Sequence, residues 1–279
     1  MKLYKTASAN LLELDGQYYT LPQKNWDTLI NNDNLYQDLL SLSQSLHPMT
    51  NADTLINTQL QAPVQSQELW ASGVTYLRSK QGRQEEANEA GGGDFYERVY
   101  EAERPELFFK ATANRISASG EPIRVRADST WDVPEPELVL VISASGKIIG
   151  YSIGNDVSSR SIEGENPLYL PQAKTYDGCA ALGPCILVLE NELAMETQIH
   201  LSIEREQHPI FQESIAISQI KRQFTQLVEF LYRECSFPHG ALLMTGTGIV
   251  PPGEFSLLPG DDVRISIDGI GTLLNPVAA

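Results

Sequence analysis

Cysteine is scarce in this chain, with three residues, Cys179, Cys185 and Cys235, among 279. The number is odd, and no pair has the two-residue spacing of a zinc or redox motif. This predicts buried thiols in a reducing cytoplasm, not a disulfide frame. The four histidines, His47, His200, His208 and His239, are scattered, with no HExxH or HxH, which speaks against a histidine-built zinc site. No stretch approaches ~18 consecutive apolar residues, so no transmembrane helix is expected. The opening MKLYKTASANLLELDG lacks an apolar core leading to a small-residue cleavage site, so no signal peptide is expected. There is no G-x-S-x-G nucleophile elbow, and no Gly-Lys-Ser/Thr ending follows a glycine-rich loop. A serine hydrolase of that type and a P-loop nucleotide site are both disfavoured. Positive charge is also in deficit. Twenty Lys and Arg stand against 36 Asp and Glu, a formal net charge of −16. Phosphate backbones and anionic lipid surfaces attract cations, so neither nucleic acid nor membrane is expected as a partner.

What remains is an ordinary globular composition, 42% apolar and 20% charged. The first 65 residues read as a small N-terminal domain. Strand-like runs at Lys2–Tyr4 and Tyr18–Leu21 precede a helical pattern through Trp26, Leu29, Ile30, Leu35, Leu39 and Leu42, then a polar linker ending at Pro63. Residues 66–279 have a different texture, with short apolar runs separated by Gly and Pro. Leu138–Ser143 and Lys147–Ile153 flank a Ser145-Gly146 turn. Cys185–Glu190, Gln198–Glu204, Phe211–Ile217 and Val263–Ile267 read as further strands. Ser218 is placed to cap one helix, whose stripe of Ile220, Phe224, Leu227, Val228, Leu231 and Tyr232 reads as core packing. Few crossover helices alternate with the strands, so the expected class is α+β, β-dominated and mostly antiparallel. The polar stretch 81–94 (QGRQEEANEAGGGD), with its glycines at 91–93, reads as a loop or a lid over a site.

The chemistry concentrates in Asp132–Arg160 (DVPEPELVLVISASGKIIGYSIGNDVSSR). Glu135 and Glu137 are two apart at the start of an apolar strand, so they share a face. Two carboxylates there repel unless a cation or a proton lies between them. If Ser145-Gly146 makes a two-residue turn, Ala144 faces Lys147, Glu137 faces Gly154 and Glu135 faces Asp156. Opposed Cβ atoms lie about 5 Å apart, so three carboxylates converge at the open end of one hairpin. That donor set suits a hard cation, Mg²⁺ or Mn²⁺. A one-residue slip would turn a carboxylate away, and solvated strand-end acids are the alternative reading. Further along, Lys174 stands between Pro171 and Asp177. Beside a dication-bound site it serves either as a base or as a cation holding a substrate oxygen; a plain surface lysine is the other reading. Met244–Gly253 (MTGTGIVPPG) offers backbone N–H groups and threonine hydroxyls suited to a carboxylate, or is simply a tight turn.

Five segments stand in a telling order: Gly73-Val74-Thr75-Tyr76, Glu135-x-Glu137, Asn155-Asp156-Val157-Ser158-Ser159-Arg160, Lys174 followed by Ala181-Leu182-Gly183-Pro184, and Thr245-Gly246-Thr247-Gly248. With them the chain from about residue 68 to 275 resembles the fumarylacetoacetate hydrolase superfamily. The segments 100–110 (YEAERPELFFK) and 163–174 (EGENPLYLPQAK) place the likeness in its branch of 2-keto-3-deoxy-arabinonate dehydratases. The resemblance implies a mixed β-sandwich roll, Mg²⁺ as cofactor with Mn²⁺ possible, and a 2-oxo acid substrate. Glu135, Glu137 and Asp156 would be the metal ligands. Lys174 would be the catalytic lysine, with Glu106 a second acid–base group. Thr247 and the backbone at Gly73 and Val74 would hold the substrate carboxylate. Arg160 is assigned to the same substrate side, acting more by steadying the ligand loop than by chemistry.

The hydrolase branch activates water with a His–Glu pair on its N-terminal side, and no His stands between Glu68 and Glu106. That favours dehydration of a 2-keto-3-deoxy sugar acid, giving 2,5-dioxopentanoate from the pentonate. Acylpyruvate or diketo-acid hydrolysis, oxaloacetate-type decarboxylation and non-catalytic metabolite binding are the alternatives. The likeness further implies a homodimer or homotetramer in the cytoplasm.

Overall fold

The run Leu138–Ile142 is apolar at every position, so a strand built on it must be covered on both faces. The computed structural model, which describes residues 1–80 and 93–278, places this run at the centre of a large sheet. The N-terminal segment supplies β1 (Lys2–Lys5), β2 (Asn10–Leu14), β3 (Gln17–Thr20), α1 (Trp26–Ile30), α2 (Leu35–Ser43), β4 (Pro48–Met49) and α3 (Ala52–Gln59). Then come β5 (Glu68–Gly73), α4 (Gly93–Glu101), β6 (Glu106–Ala111), β7 (Ile116–Ser117), β8 (Asp132–Val133), β9 (Pro136–Ile142), β10 (Ile148–Asp156) and β11 (Ser158–Ser159). Two short helices follow, α5 (Arg160–Glu165) and α6 (Leu170–Lys174). The chain closes with β12 (Ala180–Leu187), β13 (Gln198–Arg205), β14 (His208–Ala216), α7 (Phe224–Tyr232), β15 (Ala241–Met244), β16 (Asp262–Ile267) and β17 (Gly271–Pro276).

The large sheet runs β4-β3-β2-β1-β12-β10-β9-β15-β5-β6, with β7 beside β12; a second sheet runs β14-β13-β16-β17. Pairing is antiparallel except between β15 and β5 and between β12 and β7. The expected β-dominated α+β class holds. Leu138, Leu140 and Ile142 alternate into a core shared with Ile199, Leu201 and Ile265 of the second sheet and with Leu227 and Leu231 of α7. Val139 and Val141 point the other way, into a core with Trp26, Leu29, Leu39 and Ile186. β1 pairs with β12, so residues 1–65 extend the same sheet and cover part of its second face.

Several local expectations change. The helical pattern from Trp26 to Leu42 is two helices, because the polar run Asn31–Asn34 interrupts it. The helix expected from Ser218 begins at Phe224; Ile217–Gln219 is a 3₁₀ turn, and Ile220 makes a bridge to Tyr76 in extended backbone. Cys179 and Cys185 are buried as expected, but Cys235 is exposed, just past the end of α7. The segment 81–93 lies outside the described residues, save for Gly93 at the start of α4.

Candidate metal centre and active site

The hairpin β9–β10 sets the site, and its register is reached by a different route from the one expected. Ala144 does not face Lys147. Ser143 N–H donates to the Lys147 carbonyl, Gly146 N–H donates to the Ser143 carbonyl, and Ile142 pairs with Ile148. That wider turn is one residue out of step. A bulge then absorbs Ile149, and from Gly150 onward Val141, Leu140 and Val139 face Gly150, Tyr151 and Ser152. At the open end Glu137 faces Gly154, and Asp156 N–H donates to the Glu135 carbonyl at 3.0 Å. A wrong turn plus a bulge thus restores the expected register where it matters. One carboxylate oxygen each from Glu135, Glu137 and Asp156 lie within 4.8 Å of one another, and all three residues are buried.

Charges alternate through this cluster. Glu163 accepts from Arg160 at 2.9 Å, and Arg160 donates to Glu135 Oε1 at 2.6 Å. Lys174 Nζ donates to Glu135 Oε2 at 2.7 Å, Asp156 Oδ2 at 2.9 Å and Ser158 Oγ at 2.6 Å. Asp156 Oδ1 in turn ion-pairs with Lys110 at 2.6 Å. Glu137 stands off this chain. Its Oε2 accepts the Gly246 N–H at 2.5 Å, and no basic side chain among the described residues pairs with it. Burial, followed by repulsion from Asp156 and Glu135, pushes its carboxyl well above the usual glutamate range. Four acids against three bases leave one surplus negative charge at full ionisation. A proton on Glu137 neutralises the cluster. A dication together with a monoanionic acid does so as well.

The pocket above the cluster gathers the other expected residues. Gly73, Val74, Arg160, Lys174 and Thr247 line it with the three acids. Val74 holds φ at +53°, a left-handed conformation rare for a β-branched residue, and packs against Tyr96, Val99 and Tyr100 of α4. Gly246, at φ +96°, could carry no side chain, since a Cβ there would meet Thr75 Oγ1 at 2.0 Å. Thr247 Oγ1 donates within its own turn to the Ile249 carbonyl at 3.1 Å. Glu106 pairs across the sheet with Gly73, and its Oε2 would lie 2.0 Å from a Cβ at that position. In this position the Glu106 carboxylate occupies the space that a side chain at Gly73 would take.

The family model for the fumarylacetoacetate (FAA) hydrolase C-terminal domain matches residues 75–278. The chain belongs to the fumarylacetoacetate hydrolase family. Among curated members, it is 48% identical over 226 residues to a probable 2-keto-3-deoxyxylonate dehydratase of Haloferax volcanii, covering 81% of this chain and 77% of that one. It is 44% identical over 220 residues to 2-dehydro-3-deoxy-D-arabinonate dehydratase of Saccharolobus solfataricus, covering 77% and 73%. A solved structure of 2-keto-3-deoxy-D-arabinonate dehydratase, complexed with magnesium and 2,5-dioxopentanoate, superposes with a TM-score of 0.84 at 35% identity, covering 100% of this chain and 99% of that one.

Sequence reasoning on this fumarylacetoacetate hydrolase family chain missed three polar residues behind the acids: Lys110, Ser158 and Glu163. Lys110 is the only charged residue after Glu106 in the strand Glu106–Ala111 (ELFFKA), and its burial comes from the way the strand is packed and not from its pattern. Ser158 and Glu163 follow Asp156 so closely that only the path of the chain, not its pattern, brings them under the site.

Proposed function

We propose that this chain is a Mg²⁺-dependent dehydratase of a 2-keto-3-deoxy sugar acid, converting 2-dehydro-3-deoxy-D-arabinonate to 2,5-dioxopentanoate and water. One observation carries the reading: three buried carboxylates within 4.8 Å of one another, with a buried lysine against two of them. The names of the relatives point the same way. The donor set is all carboxylate oxygen, which suits a hard cation, and among the described residues no basic side chain forms an ion pair with Glu137. Glu135, Glu137 and Asp156 would hold the ion. When bound, Mg²⁺ supplies Lewis-acid polarisation to the substrate's 2-oxo group.

The protein's own groups then do the proton work. Lys174 and Glu106 are the two proton carriers. One removes a C3 proton, and the other delivers a proton to the departing C4 hydroxyl. Loss of that hydrogen and hydroxyl is loss of one water, and the unsaturated acid tautomerises to the dioxo product. Thr247 and the backbone at Gly73 and Val74 hold the carboxylate. Arg160, engaged by Glu135 and Glu163, holds its ligand in place and lends positive charge to the pocket. The enzyme works in the cytoplasm as a homodimer or homotetramer, with residues 1–65 a small domain beside a catalytic domain of 66–279; light scattering of the purified chain tests the assembly.

The test is semialdehyde formation from 2-keto-3-deoxyarabinonate with Mg²⁺, and its loss in EDTA. Glu137→Gln is expected to lose Mg²⁺-dependent thermal stabilisation. Lys174→Ala is expected to keep that stabilisation but lose about 10²–10⁴-fold in turnover. Pyruvate from an acylpyruvate, or CO₂ from oxaloacetate, without dehydration of the sugar acid would overturn the reading, as would binding of these acids with no turnover at all.

A further inference from the structure

Lys110 is wholly buried, a rare state for lysine. It lies behind the acids and is not among the residues that line the pocket. Its Nζ reaches Asp156 Oδ1 at 2.6 Å, the Val157 carbonyl at 2.9 Å and the Lys174 carbonyl at 2.5 Å. The two carbonyls accept hydrogen bonds from the ammonium, and Asp156 completes its surroundings as an ion pair. The consequence for Asp156 is specific. Lys110 grips one carboxylate oxygen and Lys174 the other, so the plane of the carboxylate is fixed from both sides. The same Nζ grips the main chain of Lys174, at the C-terminus of α6. One buried cation therefore ties a strand-borne acid to a helix-borne amine.

We propose that Lys110 is a positioning residue that sets Asp156 and Lys174 relative to each other, and so sets the metal site against the proton-transfer group. The inference rests on the reading of Asp156 as a ligand and Lys174 as a proton carrier. The competing role is that of a simple counter-charge. The two roles differ in sign. A lysine acting only by its charge repels an incoming dication, so removing it would tighten metal binding. A lysine that orients the ligand would, on removal, weaken it; loss of a group holding a metal ligand typically costs about 10–100-fold in affinity.

The experiment is calorimetric titration of wild type and Lys110→Met with Mg²⁺ and with Mn²⁺, beside steady-state kinetics on the sugar acid. Expected are a dissociation constant raised about 10–100-fold, a fall in kcat larger than any change in KM at saturating Mg²⁺, and partial recovery in Lys110→Gln, which keeps donors without the charge. Lys110→Gln carries the measurement if Lys110→Met does not fold. Unchanged or tighter metal binding in a folded variant overturns the proposal. So does a loss confined to melting temperature, with unaltered metal affinity and kcat. If wild type binds metal but leaves the sugar acid intact, the dehydratase reading fails while the affinity comparison still decides the role of Lys110. If wild type binds neither metal, both fall.

Discussion

The two ends of the β9–β10 hairpin are made from the same strands and obey opposite rules. At the open end Glu135, Glu137 and Asp156 are buried, and Glu135 and Asp156 are answered by Arg160, Lys174 and Lys110. At the turn end Ser143 and Ser145 donate to Asp33, which is exposed, and Lys147 Nζ donates to the Asp33 carbonyl. Water screens the second set, so each contact there is worth at most about 1 kcal/mol. Stripping a partner from a buried ion pair costs about 3–5 kcal/mol. Size of cavity does not follow importance. The open groove at the turn end, lined by Asp33, Lys147, Tyr151 and Glu229 among others, measures about 950 Å³ and exceeds the pocket over the acids. The lesson is that chemistry is marked by buried, mutually constrained charge and not by the larger hollow.

The bulge links the two ends, and upsetting the count beyond it should break the comparison most severely. Inserting one residue between Gly150 and Tyr151 would bring Ile153 opposite Glu137 and Asn155 opposite Glu135, and a one-residue slip sends every side chain of a strand to the opposite face. Asp156 would part from Glu135 and Glu137. We expect either no soluble protein or a folded protein with no Mg²⁺-dependent rise in melting temperature; an insertion variant with wild-type Mg²⁺ response would show that the pairing beyond the bulge does not set the site. Gly246→Ala comes next. A Cβ there meets Thr75 Oγ1 at 2.0 Å and the Ser72 carbonyl at 2.9 Å, at φ +96°. The turn must shift and take with it the N–H that Glu137 accepts. The expected cost is about 1–3 kcal/mol in stability, with turnover reduced at least tenfold; denaturant melts and kinetics on one preparation check both.

How much of this was legible follows from where the pattern is local. Glu135 and Glu137 share a face by strand period alone, and the pairing of Glu137 with Gly154 came from counting back from a turn. The count succeeded because two irregularities cancel: a turn wider than expected and the extra residue Ile149. Nothing in SASGKIIG announces a bulge, since Ile149 is an apolar residue that packs with the second core. The five-residue helix α6 that delivers Lys174 was not foreseen, for it is too short to show a period. The start of α7 was placed early, because Ile220 continues the helical stripe by number while its backbone is extended. Lys110 escaped because a lysine in a strand is ordinarily at the surface, and only the sheet order buries this one beneath Asp156 and Lys174.

Asp27 gives a case between the two ends. It anchors α1 to the segment before β5, accepting from Ser66 N–H at 3.0 Å and Gln67 Nε2 at 2.9 Å. Burial alone would raise its carboxyl, but these hydrogen bonds outweigh burial and hold it below the usual aspartate range. A depressed value means that the stabilisation is complete above the ordinary aspartate range and is lost as pH falls through the folded-state value. Asp27→Asn should therefore cost about 1–3 kcal/mol near neutral pH, with the gap to wild type narrowing on acidification. Melts across pH check this, and a gap that widens toward low pH would reverse the assignment.

The smallest effect belongs to Asp33. The Ser143 hydroxyl, then that of Ser145, holds its carboxyl below the usual range, as at Asp27, but here the acid is open to solvent. Asp33→Ala should cost less than about 1 kcal/mol, and should leave kcat and the Mg²⁺ response as they are. The turn keeps its own backbone hydrogen bonds, from Ser143 N–H to Lys147 and from Gly146 N–H to Ser143, so the bulge and the register beyond it do not depend on Asp33. A large loss of turnover in this variant would mean that strain at the turn travels along the hairpin, and that the two ends are one device and not two.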